Sequence, residues 1–320
     1  MSEAGRTLTV RVARITRQAE GVLAFELVHP WGRALPGYSA GAHIDVHTPG
    51  GFLRTYSLAE APPANGEVRR YLIGVKREPA SRGGSAALHE RVREGDLLAI
   101  GAPRNSFPLA AGARRHRLLA GGIGVTPLLA MAQQLARDGA AFTLAVFARS
   151  AAQLAFADAV RALGARLHFD DPAASEKLDL RTLLAARAED EHLYLCGPAG
   201  FMQAARAAAA HWPDDAVHVE YFAPPETASG DSLDEPFTLR LARRGITVPV
   251  AADQSAVSAL HDVGIDIPTS CEQGVCGTCV VPWLAGAPEH RDFCLSALER
   301  RSKLALCCTR SRGATLTLDL

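Results

Sequence analysis

The sequence lacks the features that would place the protein in a membrane or outside the cell. No apolar run approaches the roughly 18 residues that a spanning helix needs, and the start of the chain does not have the shape of a signal peptide. Seven cysteines are an odd number, which argues against a disulfide framework. We therefore expect a cytoplasmic protein that does not contact membranes.

The chain also lacks net charge. Its 34 basic and 34 acidic residues cancel, so nothing in the charge balance suggests nucleic-acid binding. A hydrophobic content of 48% and a charged content of 21% are those of an ordinary globular protein. A length of 320 residues allows two or three domains. We expect no nucleic-acid partner, and we expect a monomer.

Three cysteines stand close together near the C-terminus, in the spacing C-x4-C-x2-C. They are Cys271, Cys276 and Cys279. With Cys307 or Cys308 as a fourth ligand, this is the plant-type spacing for a 2Fe–2S cluster held by four thiolates. Zinc sites usually place their ligands in two closely spaced pairs, whereas here three ligands lie in one loop and the fourth is distant. Gly274 and Gly277 let the backbone turn tightly and aim N–H groups at the sulfurs, and the Thr278 hydroxyl can add a hydrogen bond.

The first 110 residues alternate apolar and polar side chains in short runs, which proline, glycine and asparagine separate. These runs are residues 8–12, 22–28, 43–46, 70–75 and 97–100. Several short strands at such spacing predict a small antiparallel β-barrel.

A cation, an aromatic ring and a hydroxyl follow one another at a strand end in this region. Arg54 can pair with phosphate, Tyr56 can pack on a flavin, and Ser57 can reach the flavin N5 edge. Gly83 and Gly84 precede a predicted helix at residues 86–92, and a glycine-rich turn that opens a helix binds phosphate through free N–H groups. A plain loop is an equally good interpretation of the two glycines alone.

From residue 111 the period changes, and strands alternate with helices. Strands are predicted at residues 116–120, 143–147, 166–169, 193–196 and 217–220, and helices at 127–137, 151–163, 180–187 and 201–211. This alternation predicts a parallel α/β sheet.

A glycine-rich turn follows the first strand of this sheet. Its glycines are Gly121, Gly122 and Gly124. They let a pyrophosphate approach the backbone at the start of a helix, where Thr126 is predicted as the N-cap and Pro127 as the first helical residue. The turn differs from the G-x-G-x-x-G fingerprint because Pro127 replaces the last glycine.

Residues 224–236 have the proline-, serine- and glycine-rich composition of a linker. A hairpin at 237–241 and 246–250, a helix at 255–263, the cysteine loop and a final strand at 314–320 follow. Cys294 lies in a run, residues 294–298, that is predicted to be helical, and we interpret it as a small buried apolar residue.

Together these motifs resemble the phthalate dioxygenase reductase branch of the ferredoxin–NADP reductase superfamily, which includes vanillate O-demethylase reductase. The resemblance covers nearly the whole chain. It implies an FMN-binding antiparallel β-barrel at residues 1–110, an NAD-binding α/β domain at 111–223, a linker at 224–236, and a plant-type 2Fe–2S ferredoxin domain of β-grasp (α+β) type at 237–320.

The resemblance also implies roles for individual residues. The flavin contacts that it implies are Arg54, Thr55, Tyr56, Ser57, Val75, Lys76, Gly84 and Ser85. Its nicotinamide-nucleotide contacts are Gly121, Gly122, Gly124, Thr126, Pro127, Cys196, Gly197 and Pro198. Cys196, Ser57 and Phe222 are implied at the catalytic centre, with Phe222 near the flavin ring, although a core aromatic has equal weight. Cys307 is implied as the fourth cluster ligand, with Cys308 as its packed neighbour.

The function implied is that of an NADH-dependent reductase of a two-component Rieske non-haem iron oxygenase. Electrons would pass from NADH to FMN, to the 2Fe–2S cluster, and then to the oxygenase. Ser150 is neutral where an acid would hold the ribose of NADH, and Arg149 could accept a 2′-phosphate, so NADH is chosen on the resemblance. The alternatives are a reductase for a haem monooxygenase or another acceptor, and a redox-sensing binding protein.

Overall fold

The computed structural model describes residues 7–79, 83–171, 179–224, 234–296 and 298–320. The chain divides into two compact units, Met1–Glu220 and Tyr221–Leu320. Most of the predicted linker, residues 225–233, lies outside the described residues. Within the described ranges, no helix has the length and apolar character needed to cross a membrane.

The first sheet of unit 1 is antiparallel and has six strands in the order β4-β3-β6-β1-β2-β5. Its elements are β1 (Thr7–Ala19), β2 (Val22–Val28), β3 (His43–Thr48), β4 (Phe52–Ser57), β5 (Arg70–Lys76), α1 (Gly84–Arg91) and β6 (Leu97–Gly101). A bridge between Leu58 and Ile73 connects the two edges of the sheet. This bridge closes the predicted barrel around a core that includes Phe25, Ile44 and Tyr71, all with no exposed surface.

The second sheet of unit 1 is entirely parallel, with five strands in the order β11-β10-β7-β8-β9. Its elements are β7 (Arg115–Gly121), α2 (Val125–Arg137), β8 (Ala141–Ala148), α3 (Ala157–Ala162), β9 (Arg166–Phe169), α4 (Leu180–Leu184), β10 (Glu191–Cys196), α5 (Ala199–Ala208) and β11 (Val217–Glu220). The order reverses direction at β7, and such a switch point is where open parallel sheets bind ligands.

The predicted helix at residues 151–163 is wrong in its first half. A single 3₁₀ turn at Ala151–Gln153 is followed by the extended Leu154 and a turn at residues 155 and 156, and α3 begins only at Ala157. Phe156 has a φ of 55°, in the left-handed region that interrupts a right-handed helix, and its side chain is buried. Burial of this ring therefore overrides the helical pattern of the sequence.

Unit 2 contains a mixed five-stranded sheet in the order β13-β12-β18-β14-β16 and a two-stranded sheet of β15 and β17. Its elements are β12 (Phe237–Leu241), β13 (Ile246–Val250), α6 (Ala256–Asp262), β14 (Val280–Ala285), β15 (Pro288–Glu289), β16 (Lys303–Ala305), β17 (Arg310–Ser311) and β18 (Thr315–Leu318). The Ser255 hydroxyl caps α6 by accepting a hydrogen bond from the Ser258 N–H. The predicted hairpin, helix and final strand are present.

The helix predicted around Cys294 is wrong for the described residues. Residues 294 and 295 form a bend, and a short 3₁₀ turn occurs only later, at Glu299–Arg301. Residue 297 lies outside the described part of the chain. Cys294 is half-buried and packs at the margin of the core of unit 2. The Leu295 and Ser296 N–H groups donate to the side chains of Asp292 and Glu299 and not to helical carbonyls.

Two histidines of unit 1 stay neutral at pH values well below the usual pKa of histidine. Burial is the main cause that lowers the pKa of His43 to about 4, and Arg104 adds to it. Burial also lowers the pKa of His218 to about 4, with a contribution from His192, whose Nδ1 lies 2.9 Å from His218 Nε2. The His218 ring stacks on Tyr194 at 4.6 Å.

We expect the free energy of unfolding to fall as the pH drops from about 6.5 to about 4, because the unfolded chain then binds protons that folded His43 and His218 do not. One pKa unit corresponds to about 1.4 kcal/mol, and the loss at half-buried His218 is about 2 kcal/mol after solvent screening. Urea unfolding at pH values across this range measures the free energy of unfolding. His43→Gln or His218→Gln should flatten the slope, and the exposed His211→Gln is the control. Equal slopes in all variants would contradict the assignment.

Candidate functional site

The glycine-rich turn lies at the carboxyl end of β7, where the sequence predicts it. Gly122–Gly124 form a 3₁₀ turn that runs directly into α2, so Gly124 occupies the cap position. The prediction that Thr126 caps the helix is wrong, since Thr126 is the second helical residue and donates its hydroxyl to the Ile123 carbonyl at 3.0 Å. Pro127 is the third helical residue. The helix begins earlier because the glycines already turn the chain.

The glycine-rich turn and the Cys196-Gly197-Pro198 turn pack into each other. A Cβ on Gly124 would lie 2.3 Å from the carbonyl oxygen of Cys196, and a Cβ on Gly197 would lie 3.0 Å from the Cα of Gly121. No side chain fits between them. The two predicted nucleotide motifs therefore form one surface at the ends of neighbouring strands β7 and β10.

Ser57 and Cys196 come together through a third residue, Glu220. Ser57 donates a hydrogen bond to Glu220 Oε2 at 3.1 Å, and Cys196 on β10 is the register partner of Glu220 on β11. Burial raises the pKa of Glu220 to about 8, and the hydrogen bond from Ser57 opposes the rise. Burial, together with the charge of Glu220, raises the pKa of Cys196 well above its usual value. Cys196 is therefore a neutral thiol.

Glu220 is absent from the site residues that the sequence predicts. Its signal is an acidic residue at the carboxyl end of the last parallel strand, the edge of such sheets at which ligands bind. Nothing in the sequence shows that this carboxylate would meet Ser57, which lies 163 positions earlier in a different sheet.

In the barrel, Arg54 lies against the start of α1. A Cβ on Gly84 would lie 2.8 Å from Arg54 Nε, so the arginine rests directly against the first residue of α1. Its guanidinium also lies over the Phe52 ring at 5.2 Å. Gly83 supplies the left-handed φ of 107° that starts the helix. Arg54 and the N–H groups of α1 together have the chemistry that holds a phosphate.

Three other predicted flavin contacts, Thr55, Lys76 and Ser85, have different hydrogen-bond partners. The Thr55 hydroxyl donates to Asp45 Oδ1 at 2.8 Å, so the Thr55 side chain bonds within the barrel. Lys76 is exposed and lies 3.3 Å from Glu78, while Ser85 accepts a hydrogen bond from the Glu78 N–H at 3.1 Å.

Tyr56 is half-buried on β4, and Val75 is fully buried on β5. The carbonyl oxygen of Val75 lies 2.9 Å from His89 Nε2 on α1. This contact holds α1 against the strand that carries Val75 and Lys76, so the predicted contacts on β5 and α1 lie in one region of the barrel.

The barrel and the parallel sheet meet at Gly74. A Cβ there would lie 2.8 Å from Thr126 Cγ2 and 2.9 Å from the Phe156 ring. The barrel strand β5 can approach the glycine-rich turn only because residue 74 has no side chain. Gly74 and Phe156 are therefore further residues beside the glycine-rich turn that the sequence pattern does not predict.

A cavity of about 650 Å³ opens beside the carboxyl ends of β8 and β9, lined by Phe147, His168, Asp179 and Arg181 among others. Asp170 follows β9 directly, and its N–H donates to the Ala148 carbonyl at the end of β8. Asp170 is therefore an acidic residue at the carboxyl end of the strand next to the one that Ser150 follows.

In unit 2 the four predicted ligand thiols form two pairs. The Cys271 and Cys276 thiols are hydrogen-bonded to each other, and so are those of Cys279 and Cys307, while the Cys307 thiol is also hydrogen-bonded to that of Cys308. Among the described residues no three histidine, cysteine or acidic side chains converge on one point. A binuclear cluster needs two thiolates for each iron, so this donor set fits a 2Fe–2S group.

Local backbone geometry supports this arrangement of the thiols. Glu272, Gly274 and Gly277 have φ values of 54°, 74° and 72°, so the loop repeatedly enters the left-handed region. The Gln273 N–H donates to Cys271 Sγ at 3.3 Å, and the Thr278 hydroxyl lies 3.0 Å from Cys276 Sγ, as expected from the sequence. The hydrogen bond from Cys276 is the main cause that lowers the pKa of Cys271 to about 7.

Cys307 and Cys308 have different surroundings. The Cys307 N–H donates to Cys279 Sγ at 3.4 Å, whereas the Cys308 thiol donates to the Ala305 carbonyl. Cys308 Sγ lies 2.7 Å from the position that a Cβ on Gly274 would take, so it packs against that glycine.

Phe222 belongs to unit 2 and is 44% exposed, and its place near a flavin stays a prediction.

A closed barrel, a parallel sheet with a nucleotide-type turn and a paired four-thiol loop in one chain define an electron-transfer reductase. Residues 239–312 match the model of the 2Fe-2S iron-sulfur cluster binding domain. The chain is 45% identical to the reductase subunit of tert-butanol monooxygenase / tert-amyl alcohol desaturase from Aquincola tertiaricarbonis, over 98% of this chain and 96% of that protein. It is 43% identical to a vanillate O-demethylase oxidoreductase from a Pseudomonas strain, over 98% and 100%.

Solved structures agree with these relatives. Phthalate dioxygenase reductase, described as a modular structure for electron transfer from pyridine nucleotides to [2Fe-2S], matches with a TM-score of 0.70 and 35% identity over 98% of both chains. An intact type IV self-sufficient cytochrome P450 monooxygenase matches with a TM-score of 0.89 and 37% identity, over 98% of this chain and 41% of that one. The protein belongs to the family of oxygenase reductases that includes vanillate O-demethylase oxidoreductase and phthalate dioxygenase reductase.

We expect the rate of pyridine-nucleotide oxidation to fall as the pH rises through about 8, where Glu220 ionises. Neutral Glu220 can donate its proton to Ser57 and free the serine hydroxyl to act as a donor elsewhere, whereas the ionised carboxylate keeps that hydroxyl for itself. Steady-state reduction of ferricyanide against pH measures this.

Glu220→Gln should remove the inflection because its amide always donates to Ser57. Ser57→Ala should lower the rate about 10-fold to 100-fold below pH 8, where the serine hydroxyl is free to donate, and less above it, since a hydrogen bond to a charged group contributes about 1.5–3 kcal/mol. An inflection near pH 8 that persists in Glu220→Gln would show that another group titrates.

Proposed function

We propose that this protein oxidises NADH and passes the electrons through FMN and a 2Fe–2S cluster to the Rieske centre of a partner oxygenase. The observation that carries the proposal is the pairing of Cys271 with Cys276 and of Cys279 with Cys307, in a chain whose first unit has a flavin-type barrel and a nucleotide turn. FMN accepts two electrons together and releases them singly, which the change from hydride to cluster requires.

The residues of the barrel have distinct tasks in this proposal. Arg54 and the N-terminus of α1 bind the FMN phosphate, and Tyr56 packs on the flavin. Ser57 donates its hydroxyl hydrogen toward the flavin while Glu220 holds or releases a proton at Oε2. Cys196 stays a neutral thiol beside the nicotinamide, where a thiolate would repel the hydride.

Asp170 supports NADH as the coenzyme. It stands at the end of β9, next to the cavity that Phe147 and Arg181 line. A carboxylate at such a strand end accepts hydrogen bonds from the ribose hydroxyls of NADH and repels a 2′-phosphate. The exposed Arg149 at the end of β8 is the feature that would favour NADPH.

The Rieske type of the partner is inferred from relatives whose names include vanillate O-demethylase and phthalate dioxygenase. The match to a cytochrome P450 monooxygenase supports a haem partner as the second candidate. The monomeric state and the cytoplasmic location remain predictions of the sequence.

The proposal is tested by an anaerobic titration of the purified protein with NADH, followed by visible absorption and electron paramagnetic resonance. We expect the flavin absorption to bleach and a rhombic signal of a reduced 2Fe–2S cluster to appear, with NADPH much less efficient. Reconstitution with Rieske and haem oxygenases then separates the two partners. Absence of a flavin spectrum would overturn the reductase assignment, and a cluster that stays oxidised would overturn the proposed electron path.

Cys307 is proposed as the fourth cluster ligand. We expect Cys307→Ser to lose most of the bound iron, because Cys279 then has no thiol partner. Cys308→Ser is the matched control and should keep the cluster, since Cys308 packs against Gly274 and donates to a carbonyl. Iron and sulfide analysis with visible spectra measures both variants. Loss of the cluster only in Cys308→Ser would reverse the assignment.

A further inference from the structure

A segment that follows β15 rests directly on the cysteine loop of unit 2. The Phe293 N–H donates to the Gly274 carbonyl at 2.8 Å. A Cβ on Gly274 would lie 3.1 Å from the Cα of Asp292. The backbone of Asp292 is therefore in contact with the loop that carries Cys271, Cys276 and Cys279.

The carboxylate of Asp292 is buried, with no exposed side-chain surface. It lies 3.3 Å from an Nη of Arg300 and 3.4 Å from His290 Nδ1, and it accepts a hydrogen bond from the Leu295 N–H at 3.1 Å. Arg300 also donates to the carbonyl oxygen of Asp292. The arginine is 36% exposed. Water therefore screens the charge of the guanidinium but not that of the buried carboxylate.

This ion pair is imperfectly satisfied. Among the described residues, Asp292 Oδ1, His290 Nδ1 and Arg300 Nε are buried and make no hydrogen bond. A buried pair with such gaps costs desolvation free energy that its attraction does not fully offset, and an apolar group of similar volume is often at least as stable. Stability of the fold is therefore a poor explanation for a charge in this place.

Cys294 follows Asp292 by two positions, and its thiol lies against the cysteine loop. Burial raises the pKa of Cys294 to about 12, and Asp292, Cys279 and Cys276 each add to the rise through their charges. Its sulfur lies 3.9 Å from the position of a Cβ on Gly277. The segment of Asp292 and Cys294 therefore contacts the cysteine loop at both Gly274 and Gly277.

We propose that the Asp292–Arg300 ion pair sets the reduction potential of the cluster, with the carboxylate lowering it and the guanidinium raising it. This inference rests on the proposed function, because it requires a 2Fe–2S group on the four thiols. Reduction adds one electron and one negative charge to that group and neither forms nor breaks a bond. A buried negative charge nearby opposes the addition, and net charge is one of the factors that set such potentials.

A purely structural role for the pair makes a different prediction. If Asp292 and Arg300 only fastened the segment onto the cysteine loop, removal of either would loosen the loop in the same way. Both variants would then lose cluster or shift its potential in one direction. Opposite shifts from the two halves of one ion pair are expected only from an effect of charge.

The test compares Asp292→Asn and Arg300→Gln in the full-length protein with its cluster bound. Cluster content is measured first by iron analysis, and the midpoint potential is then measured by a titration with dithionite and mediators, monitored by electron paramagnetic resonance. We expect a more positive potential for Asp292→Asn, a more negative one for Arg300→Gln, and a value near that of the wild type for the double variant.

Asp266→Asn is the matched control, since its side chain is 97% exposed and lies in the same unit. It should leave the potential unchanged. If Asp292→Asn fails to hold the cluster, Arg300→Gln alone must still shift the potential to a more negative value. Arg300→Lys, which keeps the positive charge, should retain the potential of the wild type. Shifts in the same direction, or none beyond that of the control, would overturn the inference. A wild-type protein without a cluster would instead overturn the proposed function.

Discussion

The nucleotide half of unit 1 depends on backbones that approach each other more closely than any side chain allows. Gly124 packs on the Cys196 carbonyl, Gly197 packs on Gly121, and Gly74 admits Thr126 and Phe156. These contacts align the ends of β7 and β10 and bring the barrel against them. Ser57 and Glu220, which belong to different sheets, can share a hydrogen bond because of this approach. Added side-chain volume at these glycines would separate the parts of the site before it affected the cores.

The candidate sites of both units contain a carboxylic acid out of water, but the two acids have opposite surroundings. Glu220 has Ser57 as its hydrogen-bond donor, and burial keeps it neutral up to a pH of about 8. Asp292 lies beside Arg300 and His290. An acid that holds a proton suits chemistry that moves hydrogen, whereas an acid paired with a cation suits a site where only charge changes.

Much of this architecture could be predicted from the sequence because its signals are local. Alternation predicts the barrel strands, the change of period at residue 111 predicts the parallel sheet, and cysteine spacing predicts the paired thiols. The errors occur where tertiary packing outweighs local preference. Phe156 interrupts a helical pattern in order to reach Gly74, and the turn of Gly122–Gly124 moves the start of α2 ahead of Thr126. Glu220 is not predicted as a site residue because its partner Ser57 is distant in sequence.

The contrast between Cys307 and Cys308 shows how far a residue type alone can specify a site. The two thiols are adjacent, and spacing permits either as a ligand. Packing separates them, because the backbone N–H of Cys307 points at Cys279 Sγ while Cys308 fills the space that Gly274 leaves. The backbone of Asp292 also lies against this glycine, with its Cα 3.1 Å from the same Cβ position. Gly274 therefore admits both the second thiol and the buried charge, and a larger residue there would displace one of them.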